Sequence, residues 1–183
     1  MIIGIAGPSC SGKSSISEIV AANLGMDLMH LDGRWISGSE KPIVAGFPSY
    51  EQPHQYDGAS LLAEMQAAQT AGRDIIVEGF LLFAYPEILA LCDHRFFIEV
   101  DHDELVRRRV ARTAAGGNVT WGAIAADSTV DKGWLAHGRE EWQQWGAPQA
   151  SLPGVVVIDG SRPVAESARD VVEMIRGVGP KVK

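Results

Sequence analysis

Apolar residues recur along the chain in two rhythms. Five short runs are apolar almost without interruption: Ile2-Ile3-Gly4-Ile5-Ala6, Met26-Asp27-Leu28-Met29-His30-Leu31, Asp74-Ile75-Ile76-Val77-Glu78, Arg95-Phe96-Phe97-Ile98-Glu99-Val100 and Val155-Val156-Val157-Ile158. Such runs suit strands of a parallel sheet covered on both faces. Between them the period lengthens to that of a helix. Ile16, Ile19, Val20 and Leu24 follow i, i+3, i+4, i+8 up to Gly25. Leu61, Leu62, Met65 and Ala68 share one face of 59–71, and a short helix is expected over 86–91. Asp101 or Asp103 can cap the next helix. Val164, Ala168, Val171, Val172 and Ile175 form the face of a last helix ending at Gly177. Strands alternating with helices predict a doubly wound α/β fold, a three-layer sandwich in which helices flank a five-stranded parallel sheet.

Two stretches break this rhythm. Residues 33–58 are rich in Gly, Pro and Ser, and are too long for a passive connection, so they are expected to help build a site. Residues 114–129 are small and weakly patterned; they are expected to be mobile, within a lid spanning roughly 107–135. After them, Trp134, Gly138, Trp142 and Trp145 form a stripe at i, i+4, i+8, i+11. It reads as core or lid packing in preference to a base-stacking platform. No repeat appears, and 1–177 is expected to be one domain followed by a tail, 178–183.

Composition narrows the function. With 183 residues, 46% of them hydrophobic, the chain can bury a sizeable core. Its formal charge of −7 argues against nucleic acid or an anionic membrane as partner. Neither the two cysteines nor the five histidines show metal-ligand spacing, and Cys10 reads as a small loop residue. The chain starts on a core strand, leaving no room for a cleavable signal, and has no apolar run of ~20 residues, so a cytoplasmic location is expected. Oligomeric state is not legible.

The chemistry begins after the first strand, at Gly7-Pro8-Ser9-Cys10-Ser11-Gly12-Lys13-Ser14. This is the GxxxxGK[ST] phosphate loop between a strand and a helix, in which backbone N–H groups and the helix N-terminus cradle phosphates. Gly7, Ser9, Cys10, Ser11, Gly12, Lys13, Ser14 and Ser15 are therefore the expected ATP contacts. Lys13 would reach the β- and γ-phosphates, and the Ser14 hydroxyl would face Mg²⁺. Ligands of such sheets collect at the carboxyl ends of the strands. That rule adds Asp32, Glu78, the helix bearing Arg107, Arg108, Arg109 and Arg112, and Asp159-Gly160-Ser161. Of Asp32 and Glu78, one can take a proton from an acceptor hydroxyl while the other holds metal-bound water. Arg108 and Arg112 share a helix face and can meet phosphates.

In the order and separation of these features the chain resembles the uridine kinase branch of P-loop nucleoside kinases, and more closely the nicotinamide riboside kinases. The likeness is carried by Lys13-Ser14-Ser15, Asp32, Tyr56-Asp57, Glu78-Gly79-Phe80-Leu81-Leu82-Phe83, and Arg107-Arg108-Arg109 with Arg112. It implies a P-loop NTPase fold and ATP- and Mg²⁺-dependent phosphorylation of a ribonucleoside 5′-hydroxyl, with nicotinamide riboside preferred. By the same likeness Asp32 is the base and Glu78 the acidic residue near Mg²⁺. Asp57 holds the ribose hydroxyls with Tyr56 beside the base, and Arg108 and Arg112 are lid cations. A cationic nicotinamide ring suits an acidic pocket with aromatic faces, for which Tyr56, Phe80, Phe83 and the tryptophans are candidates. Uridine or cytidine kinases, other small-molecule kinases and a non-catalytic nucleotide-binding protein are the alternatives.

Overall fold

A computed structural model describes residues 1–36, 38, 41–114 and 128–177. The expected tail, 178–183, and the middle of the expected lid, 115–127, lie outside them. The principal sheet contains β1 (Ile2–Ala6), β2 (Asp27–His30), β5 (Ile75–Gly79), β6 (His94–Glu99) and β7 (Val155–Asp159), in the order β2-β5-β1-β6-β7. Every pairing in it is parallel. All five strands fall on the runs read from the sequence.

The central strands β1 and β5 are buried along their whole length because both faces are covered there, whereas the edge strands β2 and β7 keep exposed positions. The two-residue strand period sorts the side chains. Ile2, Ile75, Val77 and Phe97 point to one side, where α2 (Gly58–Thr70) and α3 (Pro86–Leu91) bring Leu61, Met65 and Ile88. Ile3, Ile5, Ile76, Phe96 and Ile98 point to the other. There they meet Ile16 and Val20 of α1 (Lys13–Leu24), and Ala168 and Val171 of the last helix, α6 (Val164–Ile175). Among the described residues no helix is long and apolar enough to cross a membrane.

Three parts depart from the sequence reading. Within 33–58 the chain forms a hairpin of β3 (Ile43–Val44) and β4 (Phe47–Pro48), a single turn of 3-10 helix at Pro53–Gln55, and an isolated bridge between Trp35 and Tyr56. Two-residue strands are too short to register as a period. The arginine helix, α4 (His102–Ala114), is followed in the described residues by α5 (Ser128–Glu141). The tryptophan stripe does not stay on one α-helix either. After Glu141 the helix widens to a π turn at Trp142–Gly146, then tightens to a 3-10 segment at Ala147–Ser151. This sets Trp142 on the sheet, its ring 5.7 Å from Phe97 and 5.8 Å from Phe80.

Candidate active site

Between β1 and α1 the phosphate loop takes a backbone path that its glycines permit. Gly12 has φ +92°, and a Cβ on Gly7 would lie 2.8 Å from the Ile98 carbonyl oxygen. Gly12 is also the N-cap of α1, and having no side chain it leaves the first-turn amides uncapped. The Lys13 amide makes only a long contact, 3.4 Å, to Ser11 Oγ. These N–H groups and the helix dipole form a cradle for an anion. Ser9, Cys10 and Ser14 are half-buried beside it, and Ser15 is exposed on the first turn.

Five side chains converge at the mouth of this cradle. Lys13 is 6% exposed, and its Nζ sits 2.8 Å from Asp32 Oδ2 and 4.0 Å from Glu78 Oε2. Burial pulls its pKa down, but the two carboxylates outweigh that and leave it raised, so the ammonium is charged. Asp32 is fixed from its other side, where Oδ1 accepts the Phe80 amide at 2.7 Å. Glu78 is fully buried inside β5, a costly place for a carboxylate without partners. Parallel register sets His30 beside it, and Nδ1 lies 2.6 Å from Oε1. The Ser14 hydroxyl lies 3.3 Å from both of its oxygens. The hydrogen bond to Glu78 raises the His30 pKa although partial burial opposes it. His30, given no chemistry in the sequence reading, thus belongs to the site.

Ser14 Oγ and Glu78 offer hard oxygen donors side by side. That suits Mg²⁺, which takes one or two protein oxygens and completes its shell with phosphate and water.

The arginine helix holds the loop rather than facing it from a distance. Arg108 donates to the carbonyls of Ser11 (3.3 Å) and Gly160 (3.0 Å), and its Nε pairs with Glu104 at 2.7 Å. It therefore ties the phosphate loop to the turn after β7. Arg109, which the spacing did not single out, is buried, donates to Ser9 Oγ at 3.0 Å and lies 5.0 Å from the Trp134 ring centre. Arg112 is half-buried in the last turn of α4.

On the acceptor side, Tyr56 is buried in the core, its hydroxyl donating to the Tyr50 carbonyl and its ring 4.6 Å from Trp35. Asp57 caps α2 through the Ser60 amide at 2.9 Å. Phe83 and Phe80 are both buried in the core, and Phe80 also borders a small opening together with Pro8, Ser9, Glu51, Trp134 and Trp142. Glu141 holds the 49–52 segment, accepting from Ser49 Oγ at 2.6 Å and Gln52 Nε2 at 3.0 Å.

Glu51 was missed because it lies in an unpatterned stretch, distant in sequence from the loop it faces. Burial is the main cause of its pKa being raised from 4.5 to about 7; Glu141 and Asp32 push the same way, against Arg109 and Lys13. An acid whose folded pKa exceeds its unfolded value binds more protons when folded. Its contribution therefore erodes stability as pH rises from about 4.5 to about 7. Glu51→Gln is expected to flatten that part of the Tm profile and to gain about 1–2 kcal/mol above pH 7. Parallel profiles for the two proteins would contradict the raised pKa of this half-buried carboxylate.

A family profile described as AAA domain matches residues 3–120. Nicotinamide riboside kinase of Schizosaccharomyces pombe is 24% identical, over 62% of this chain and 66% of that protein. Nicotinamide riboside kinase 2 of Mus musculus is 26% identical, over 62% and 68%. The chain thus spans about two thirds of the length of these relatives. A solved sugar kinase from Janibacter sp. HTCC2649 superposes with a TM-score of 0.68 at 17% identity, covering 98% of each chain. That likeness is one of fold.

Proposed function

This chain belongs to the AAA domain family, and on that premise we propose that it is an ATP- and Mg²⁺-dependent kinase acting on the 5′-hydroxyl of a ribonucleoside, nicotinamide riboside being the preferred acceptor. The observation that carries the reading is the 2.8 Å pair of Lys13 and Asp32 at the mouth of the cradle. A nucleotide-binding protein that transfers nothing has no use for a carboxylate placed where an acceptor would meet the phosphates.

The roles follow from position. The loop amides and Lys13 bind the triphosphate, and Arg108 and Arg109 keep the loop in shape to do so. When Lys13 turns to the phosphates it releases Asp32 Oδ2, which can then take the proton of the acceptor hydroxyl. The acceptor oxygen bonds to the γ-phosphorus as the bond to the β,γ-bridging oxygen breaks, and ADP leaves. Mg²⁺, with Ser14 and Glu78 as its protein oxygens, would supply neutralisation of the phosphate charge. Arg112 and Asp57 keep the roles implied by the family likeness, at the phosphates and the ribose.

A sugar or other polyol acceptor is the second reading. It is favoured by Tyr56 being buried and by Asp57 already spending one oxygen on the α2 cap. The test is ADP release with ATP, Mg²⁺ and a panel of nicotinamide riboside, uridine, cytidine, shikimate and simple sugars. Turnover is expected to be at least about tenfold more efficient with nicotinamide riboside, a margin within reach of a few specific contacts. Turnover confined to sugars would move the assignment to the second reading.

A further inference from the structure

The widened stretch that follows α5 brings one polar side chain beneath the site. Its π turn, Trp142–Gly146, closes on Gly146, where a Cβ would stand 1.8 Å from the Trp142 ring. The chain then tightens into the 3-10 segment Ala147–Ser151. Such π turns are frequent where function sets the geometry. Here the change of pitch leads to Gln149, 2% exposed and hydrogen-bonded to the turn that follows β5.

Gln149 uses its whole amide there. Oε1 accepts the Phe83 amide at 2.8 Å, while Nε2 donates to the Phe80 carbonyl at 3.1 Å and the Trp145 carbonyl at 3.2 Å. An acceptor facing an N–H and two donors facing carbonyls fix the orientation, since the reverse would set like against like. A hydrocarbon side chain of the same length would leave these buried backbone groups unpaired, which the interior tolerates poorly.

The turn that Gln149 holds in turn holds the base. The Phe80 carbonyl is taken by Gln149, and the Phe80 amide lies 2.7 Å from Asp32 Oδ1. Gly79 lets this backbone approach closely, because a Cβ there would lie 2.7 Å from Leu31 Cβ. When Lys13 leaves Asp32 for the phosphates, the Phe80 amide is, among the described residues, the hydrogen bond that still orients the carboxylate.

We infer that Gln149 is a positioning residue for the phosphoryl transfer. By pinning both ends of the turn from Phe80 to Phe83 it keeps the Phe80 amide, and through it Asp32, in the orientation that receives the acceptor proton. The inference rests on the reading of Asp32 as the base, and it adds a buried support for that base.

The experiment measures Gln149→Met and Gln149→Glu, alone and combined with Asp32→Asn, using ATP, Mg²⁺ and nicotinamide riboside. Met fills the space without hydrogen bonds, whereas Glu keeps the shape but sets an oxygen against both carbonyls. Thermal melting fixes a temperature at which each protein is folded. Each single variant is expected to lower kcat by at least about tenfold with the KM for ATP within about twofold, the pattern of a misplaced group. In the Asp32→Asn background the same substitutions are expected to cost less than about twofold, because their effect runs through a carboxylate already gone. A wild-type kcat, a loss carried by the KM for ATP, or an equal loss with and without Asp32 would each overturn the inference.

Amide hydrogen exchange keeps this idea apart from the kinase reading. In Gln149→Met the Phe80 amide is expected to exchange at least about tenfold faster relative to the amides of β1, which general destabilisation would accelerate equally. Faster Phe80 exchange in a protein that turns over no acceptor leaves the support of Asp32 standing and removes the kinase reading. Wild-type turnover with Phe80 exchanging in step with β1 does the reverse.

Discussion

Asp32→Asn is expected to lower kcat by about 10²–10⁴-fold, the range for removing a positioned general base, with little change in the KM for ATP. The substitution keeps the shape of the side chain, and its carbonyl oxygen can still accept the Phe80 amide that fixes Asp32 today. What it removes is the anionic Oδ2, which now holds Lys13 and would receive the acceptor proton. Because Lys13 keeps Glu78 as a second anionic neighbour at 4.0 Å, the fold should lose little stability. Steady-state kinetics with saturating acceptor, paired with thermal melting, separate these effects. A variant with wild-type kcat would take Asp32 out of the base role.

Lys13→Ala should combine a kinetic loss with a structural one. Turnover is expected to fall by about 100- to 1,000-fold, since an ammonium aimed at phosphates stabilises charge that develops in the transition state. The buried carboxylates of Asp32 and Glu78 would also lose their nearest cation. Breaking one partner out of a buried ion pair costs about 3–5 kcal/mol, offset in part because His30 can carry a proton beside Glu78. For a protein of this size that amounts to a drop in Tm of the order of 10 °C. Activity is therefore to be measured well below the variant's own melting range. Retained turnover there, or an unchanged Tm, would contradict the central position given to Lys13.

The sheet and the loop were legible in the sequence because each has a signature tied to its physics. Buried parallel strands must be apolar on both faces, and a phosphate cradle needs glycines at fixed offsets followed by a lysine and a hydroxyl. Asp32 and Glu78 stood out as carboxylates at strand ends, and the structure gathers both around Lys13. The partners that hold these groups were not legible, because they come from tertiary register. His30 meets Glu78 only because β2 and β5 pair in parallel with those two residues opposite. Arg109 cannot be told from Arg108 or Arg112 by spacing within one basic run. It is the docking of α4 on the loop that sends Arg108 to the Ser11 carbonyl and Arg109 to the Ser9 hydroxyl.

The acceptor side was harder to read for a related reason. Residues 33–58 follow neither a strand nor a helix period, so nothing in the spacing distinguished Glu51 from a solvated loop carboxylate. Tyr56 shows the converse, a residue conspicuous in the motif whose ring the fold places in the core against Trp35.

The most direct test of phosphoryl transfer to a ribonucleoside is to identify the product. Purified protein is incubated with ATP, Mg²⁺ and an equimolar mixture of nicotinamide riboside, uridine, cytidine and simple sugars, and the phosphorylated species are resolved by mass spectrometry. The expected result is nicotinamide mononucleotide as the dominant product, absent when Asp32→Asn replaces the wild type. ADP accompanied only by inorganic phosphate, or by a phosphorylated sugar and no nucleotide, would contradict it.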